Sequence, residues 1–319
     1  MTMFGKKPES GAQWERETLE KLAFASLVEQ RRARRWGIFF KALIFVYLFS
    51  LLIIFQLRLS DENSSGGGKH TAVVEVKGVI SSETEASADN IIHALREAFE
   101  DENTKGVIVR INSPGGSPVQ SGYINDEMRR LREKYPKIPL HAVITDLGAS
   151  GGYYIAVGAE NIYADKSSLV GSIGVIMSGF GFVDTLEKLG IQRRLLTAGE
   201  HKGFLDPFSP ERDEERTHVQ TLLNQMHQQF INTVKIGRGE RLKDDPKLFS
   251  GFIWTGEEAV NLGLVDDLAS ASSIARNLIG AEKLVSFTPE KPVFERLLEN
   301  MGMSTRTWIK EQLLTPQLQ

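Results

Sequence analysis

The chain has 319 residues, 41% of them apolar and 25% charged, the balance of an ordinary folded protein with room for one large or two modest domains. Its formal charge of −3 excludes the broad basic face that drives phosphate-led association, so no nucleic-acid partner is expected. There is no cysteine, which excludes disulfides, thiolate metal sites and a cysteine nucleophile.

The charge is unevenly placed. Residues 1 to 41 carry nine Lys or Arg against five Glu, so residues 1–35 read as a basic arm. Trp36 to Leu57 follows, WGIFFKALIFVYLFSLLIIFQL, whose only charge is Lys41 near one end. A run of this length and apolarity predicts one transmembrane helix. RRARR precedes it and Arg58 stands nearly alone beyond it, so the positive-inside rule places the N-terminus in the cytoplasm. The charged region and apolar stretch are too long for a cleavable signal, and no small-x-small site follows, so the segment reads as an uncleaved anchor. Residues 58–70, with SSGGGK, read as a flexible tether.

Beyond the tether, short β-branched runs alternate with helical patterns. Strands are predicted at 71–76, 106–111, 139–145, 160–165, 172–177 and 191–197, with helices at 87–101, from the NSPGG turn through Glu133, and around 182–189. This alternation implies βαβ units around a largely parallel α/β sheet. After Pro210 the pattern becomes helical, with one long helix and a shorter one ending at Gly263. Residues 71–288 form the expected main domain. The polar tail at 289–319 leaves packing on a neighbour and disorder both open.

Two consecutive predicted strands end in glycine-rich turns, Asn112-Ser113-Pro114-Gly115-Gly116 and Gly148-Ala149-Ser150-Gly151-Gly152. Ligands bind outside the carboxyl ends of such strands. Glycines there let backbone N–H groups point outward at a helix start, the recipe for an oxyanion hole. Ser150 is thus a candidate nucleophile, with Gly115, Gly116 and Gly151 as candidate N–H donors. Its base is open on residue pattern alone. A hydrolase triad would draw on His201, His218 or His227, although the last two sit among Gln and Asn on the long helix and read as solvated. Lys202, in LLTAGEHKGFLDPFSP, would serve if buried in apolar surroundings.

These motifs resemble the bacterial signal peptide peptidase A (protease IV) family of serine peptidases. The resemblance runs from about Val73 to Leu268, through NSPGG, D-x-G-A-S-G-G-Y-Y, V-G-S-I-G-V, then G-x-x-K with P-F-S, in that order. It implies a ClpP/crotonase-like core, a Ser-Lys dyad of Ser150 and Lys202, and a hydroxyl near the amine, matched by Ser172; Ser167 and Ser168 read as turn residues. It further implies a ring-shaped homo-oligomer with serine and lysine from adjacent protomers. The implied substrates are cleaved signal peptides and other extended apolar peptides, an added chain lying along residues 172–177. No metal or organic cofactor is implied. The implied location is the bacterial inner membrane, with the catalytic domain on the periplasmic side. Arg110, Asn112, Asp146 and Tyr153 border the expected site, and His201 lies beside the expected base. A crotonase-type acyl-CoA enzyme would share the fold and turns, and an inactive membrane scaffold would keep the glycines without needing the dyad.

Overall fold

The computed structural model describes residues 10–63 and 68–289. The start of the basic arm, the middle of the expected tether and the tail from 290 lie outside the described residues. The chain divides into two compact units, the first ending at Gly67 and the second beginning at Gly68.

The first unit contains one helix, α1 (Ser10–Asn63), so most of the basic arm and the whole apolar run share a single helix. At 1.5 Å per residue it is roughly 80 Å long. Within it, Val28–Phe55 is long and apolar enough to cross a membrane. Trp36 packs edge-on to Phe39 and stacks with Phe40 at the end nearest the arginines.

The second unit opens with β1 (His70–Lys77), α2 (Ala88–Glu100), β2 (Thr104–Ser113), α3 (Pro118–Lys134), β3 (Leu140–Ala149) and α4 (Gly151–Ala156). Local sequence sets these boundaries. Ser87 caps α2 by accepting from Asn90 N–H, and Ser117 caps α3, whose first position is Pro118. There follow β4 (Asn161–Ala164), β5 (Leu169–Gly171), α5 (Val183–Lys188), α6 (Asp213–Arg238), β6 (Ile253–Thr255), α7 (Gly256–Asn261), β7 (Asp267–Leu268), α8 (Ala271–Ile274) and β8 (Leu284–Ser286).

The sheet runs β6-β5-β3-β2-β1-β8, and β4 lies between β3 and β7. All pairs are parallel except β5 with β6. Strand β3 forks: residues 141–144 pair with β4, and 147–149 pair with β5. The register with β2 slips between Ile111 and Ser113, so the two strand ends bend together where the glycine turns begin. One sheet face buries Val74, Val76, Val109, Ile111 and Ile144 in the main core with α2, α3 and α4. The other buries Ile108 and Val143 against Ala271 and Ile274 of α8.

The predicted strands at 172–177 and 191–197 do not form; regular pairing ends at Gly171 and residues 191–197 are irregular. Both runs are rich in β-branched or apolar residues, but a strand also needs an edge to pair with, and the described residues supply none there. Apart from the buried Ile173, side chains in and just beyond these runs are bare: Ile176 is 89% exposed, Phe180 82% and Leu196 98%. The expected all-helical second half also contains β6, β7 and β8, strands of two or three residues too short to show a period.

Candidate active site

Three chain turns converge. At the end of β2, Ser113 hydroxyl donates to Gly78 O at 2.6 Å and accepts from Gly115 N–H at 3.1 Å. The turn is then clamped to Ile80, which donates to Gly115 O (2.9 Å) and accepts from Ser117 N–H (2.8 Å). A Cβ on Gly116 would sit 2.1 Å from Ile80 O, so only glycine fits.

At the end of β3, Ser150 is the cap residue of α4 and has φ 52, ψ −122. Its N–H donates to Gly171 O at 2.8 Å, which ties it to the end of β5. One residue further, Ser172 has φ 51 and donates its N–H to Phe252 O at 2.7 Å. Among the described residues the non-glycine positions with positive φ are Ser150, Ser172 and Leu205. Such backbone strain persists only where the surroundings over-determine it, and it clusters at functional sites. Both hydroxyls are partly accessible, and neither has a hydrogen-bond partner among the described residues.

The first two turns touch. A Cβ on Gly115 would lie 2.7 Å from both Gly151 N and Ser150 Cβ, and one on Gly151 would lie 3.3 Å from Gly116 N. The N–H groups of Gly116 and Gly151 are unpaired among the described residues, while that of Gly115 is engaged by Ser113. The fold therefore brings Ser150, Ser172, Gly115, Gly116 and Gly151 together. Lys202 lies in the irregular segment between α5 and α6, is exposed, and has no hydrogen bond to either serine among the described residues. The apolar enclosure that a lysine base requires is not furnished by the described residues.

The bordering residues have structural partners. Asn112 donates to Asp146 at 2.7 Å across the register slip, and Arg110 pairs with Glu75. Tyr153 is fully buried and donates to Leu264 O at 2.8 Å; burial pushes its phenol up. Ser168 accepts from Asp165 N–H and donates to Thr145 O, which makes it a turn residue, and Ser167 is exposed. His218 is exposed, and His201 is exposed 3.8 Å from Glu214. His227 differs from the solvated reading: it is half-buried, with Nε2 3.0 Å from Ile173 O. The signal was present in its spacing, since His227, Phe230, Ile231, Val234 and Arg238 form one helical stripe.

A largely parallel α/β sheet whose adjacent strand ends carry glycine turns, a strained serine and N–H groups unpaired among the described residues has a ClpP-like fold. The chain belongs to peptidase family S49, whose description matches residues 132–284, a stretch containing Ser150, Ser172 and Lys202. It is similar to a putative signal peptide peptidase SppA of Enterococcus faecium, 31% identical over 241 residues, 72% of this chain and 70% of that one. It is also similar to Protease 4 of Haemophilus influenzae, 34% identical over 219 residues, 67% of this chain and 35% of the relative. A protein of Brucella abortus named Na(+)/H(+) antiporter NhaA is 42% identical over 212 residues, 66% of this chain. This chain spans only 29% of that relative's length.

Proposed function

We propose that the protein is a membrane-anchored serine endopeptidase that cleaves extended apolar peptides, remnant signal peptides among them, through an acyl-enzyme on Ser150. The observation that carries this reading is Ser150 itself, held at positive φ with a free hydroxyl beside the unpaired N–H groups of Gly116 and Gly151. Ser150 Oγ attacks the scissile carbonyl, and those two N–H groups take the oxyanion. Gly115 holds the turns in contact, its own N–H being occupied. Lys202 is the general base and later protonates the leaving amine. Ser172 hydroxyl orients the neutral amine without burying a second charge.

Lys202 is exposed and makes no hydrogen bond to Ser150 among the described residues, which supports a dyad completed between adjacent copies in a ring. The bare apolar side chains of the segment after Ser172 support that reading, since such surface is normally covered by a partner. The same segment, lacking a strand partner, offers its backbone to an extended substrate. Trp36 to Leu57 spans the bilayer with the arginines inside, and the second unit works on the periplasmic side.

Separate Ser150→Ala and Lys202→Ala variants, assayed on an unstructured protein, test the dyad. Each alone is inactive. Mixed before assembly in equal amounts they regain about a quarter of wild-type activity, because that fraction of interfaces pairs an intact serine with an intact lysine. Activity in either variant alone removes the dyad; no recovery on mixing removes the shared site.

A further inference from the structure

We propose that His227 is a positioning residue that fixes Ser172 by holding the carbonyl of Ile173. The inference rests on the reading of Ser172 as the hydroxyl that orients the lysine amine. A carbonyl only accepts, so the 3.0 Å contact from Nε2 to Ile173 O makes Nε2 the protonated nitrogen. Nε2 keeps that hydrogen in the cation as well, so the bond holds in either state of the ring.

Ile173 needs this donor. The antiparallel ladder with β6 ends at Gly171, and the last backbone bond beyond it runs from Ser172 N–H to Phe252 O. Ile173 is fully buried, and no backbone N–H reaches its carbonyl among the described residues. A buried carbonyl without a partner is unfavourable, and His227 removes that penalty. Ser172 is thereby pinned on three sides: Ser150 N–H on Gly171 O before it, its own N–H on Phe252 O, and His227 on the residue after it. Loss of any pin lets the strained φ of 51 relax and the hydroxyl move.

His227 is itself rigidly seated. Two turns of α6 beyond it carry Phe230, whose ring lies 5.0 Å from that of Tyr154, and Thr233, which donates to Tyr154 OH at 2.9 Å. Tyr154 belongs to α4, the helix that Ser150 caps. Gly237 lets α6 pass close to the end of α4, where a Cβ would meet Val157 O at 2.4 Å. One helix therefore grips both the nucleophile's helix and the turn that carries Ser172, and it holds the two serines in a fixed relation.

The test uses the full chain in detergent, with kcat and KM measured on one peptide substrate. The variants are His227→Leu and His227→Gln, each made alone and with Ser172→Ala. His227→Gln places an amide donor close to where Nε2 stands. We expect His227→Leu to lower kcat roughly tenfold or more with KM nearly unchanged, as for a misplaced reacting group, and His227→Gln to restore most of it. In the Ser172→Ala background His227→Leu should add little, since both act through one hydroxyl. Equal fold-losses in both backgrounds, or wild-type kcat in His227→Leu, overturn the positioning role. Wild-type kcat in Ser172→Ala overturns the reading of Ser172 itself, and the proposal falls with it. If His227→Leu does not fold, His227→Asn replaces it: its amide is too short to reach, so kcat falls relative to His227→Gln, and equal rates for that pair overturn the proposal.

Discussion

Gly115→Ala strikes the contact between the two glycine turns without removing any reacting group. Gly115 has φ 100, a conformation strained for any L side chain, and the added Cβ would fall 2.7 Å from Gly151 N, 2.7 Å from Ser150 Cβ and 3.0 Å from Ala149 O. Those atoms are backbone or the first side-chain atom, so relief requires the Ser150 turn to retreat by several tenths of an ångström. The strained φ costs about 1–3 kcal/mol, and the contact adds to that, so about 2–4 kcal/mol in all is expected. For a unit of this size that lowers Tm by roughly 4–16 °C. On the proposed mechanism, displacement of Ser150 and of the Gly151 N–H together lowers kcat on the order of 100-fold or more. The assay pairs calorimetry of the purified protein with steady-state hydrolysis of a peptide substrate at a temperature where the variant is folded. Gly122→Ala is the control, since Gly122 lies inside α3 with nothing within 4 Å of its Cβ; it gains up to about 1 kcal/mol. A Gly115→Ala protein with wild-type turnover would refute the reasoning that these turns form one site.

Acid stability should report Glu127 and its two arginine partners. Hydrogen bonds from Arg130 foremost, and from Arg96, hold the Glu127 carboxyl down at about 2 despite its burial. A depressed folded value stabilises above the unfolded value and is lost as pH falls through the folded one, so this contribution, about 3 kcal/mol, disappears between about pH 4.5 and 2. Glu127→Gln should flatten that part of the stability curve, as measured by denaturant unfolding at stepped pH. At Asp266, burial works to raise the carboxyl, but the Arg238 hydrogen bond foremost, together with Ile162 N–H and the neighbouring arginine charges, outweighs it and holds the group low. Arg238→Met leaves Asp266 with only its weaker partners and should cost about 3 kcal/mol in thermal unfolding. Tyr153→Phe leaves Leu264 O without its donor and should cost about 1–2 kcal/mol while kcat stays within a few fold.

Much of the central sheet was legible because its strands are buried on both faces and read as continuous β-branched runs, as in GVIVRI. The glycine turns were legible as chemistry, since few other residues permit their close approach. What the sequence could not carry was pairing. Residues 172–177 have strand composition, yet the edge they would need is absent among the described residues, whereas Ile253–Thr255 pairs because β5 lies beside it. Lys202 illustrates the same limit at the site: local residues describe its apolar neighbours but not whether those neighbours enclose it. His227 reads as solvated from its polar sequence neighbours, and only the three-to-four spacing to Phe230 and Val234 marks the inward face.

Ser150 and Ser172 also bear on how this chain changes over generations. At φ near 50, glycine folds more easily than serine, so selection for folding alone would steadily replace both residues. Copies released from the proposed hydrolysis are therefore expected to drift toward glycine at these two positions first and to gain thermal stability as they do. An active lineage is held against that drift only by the reaction it performs, a stability–activity trade-off written into two backbone angles.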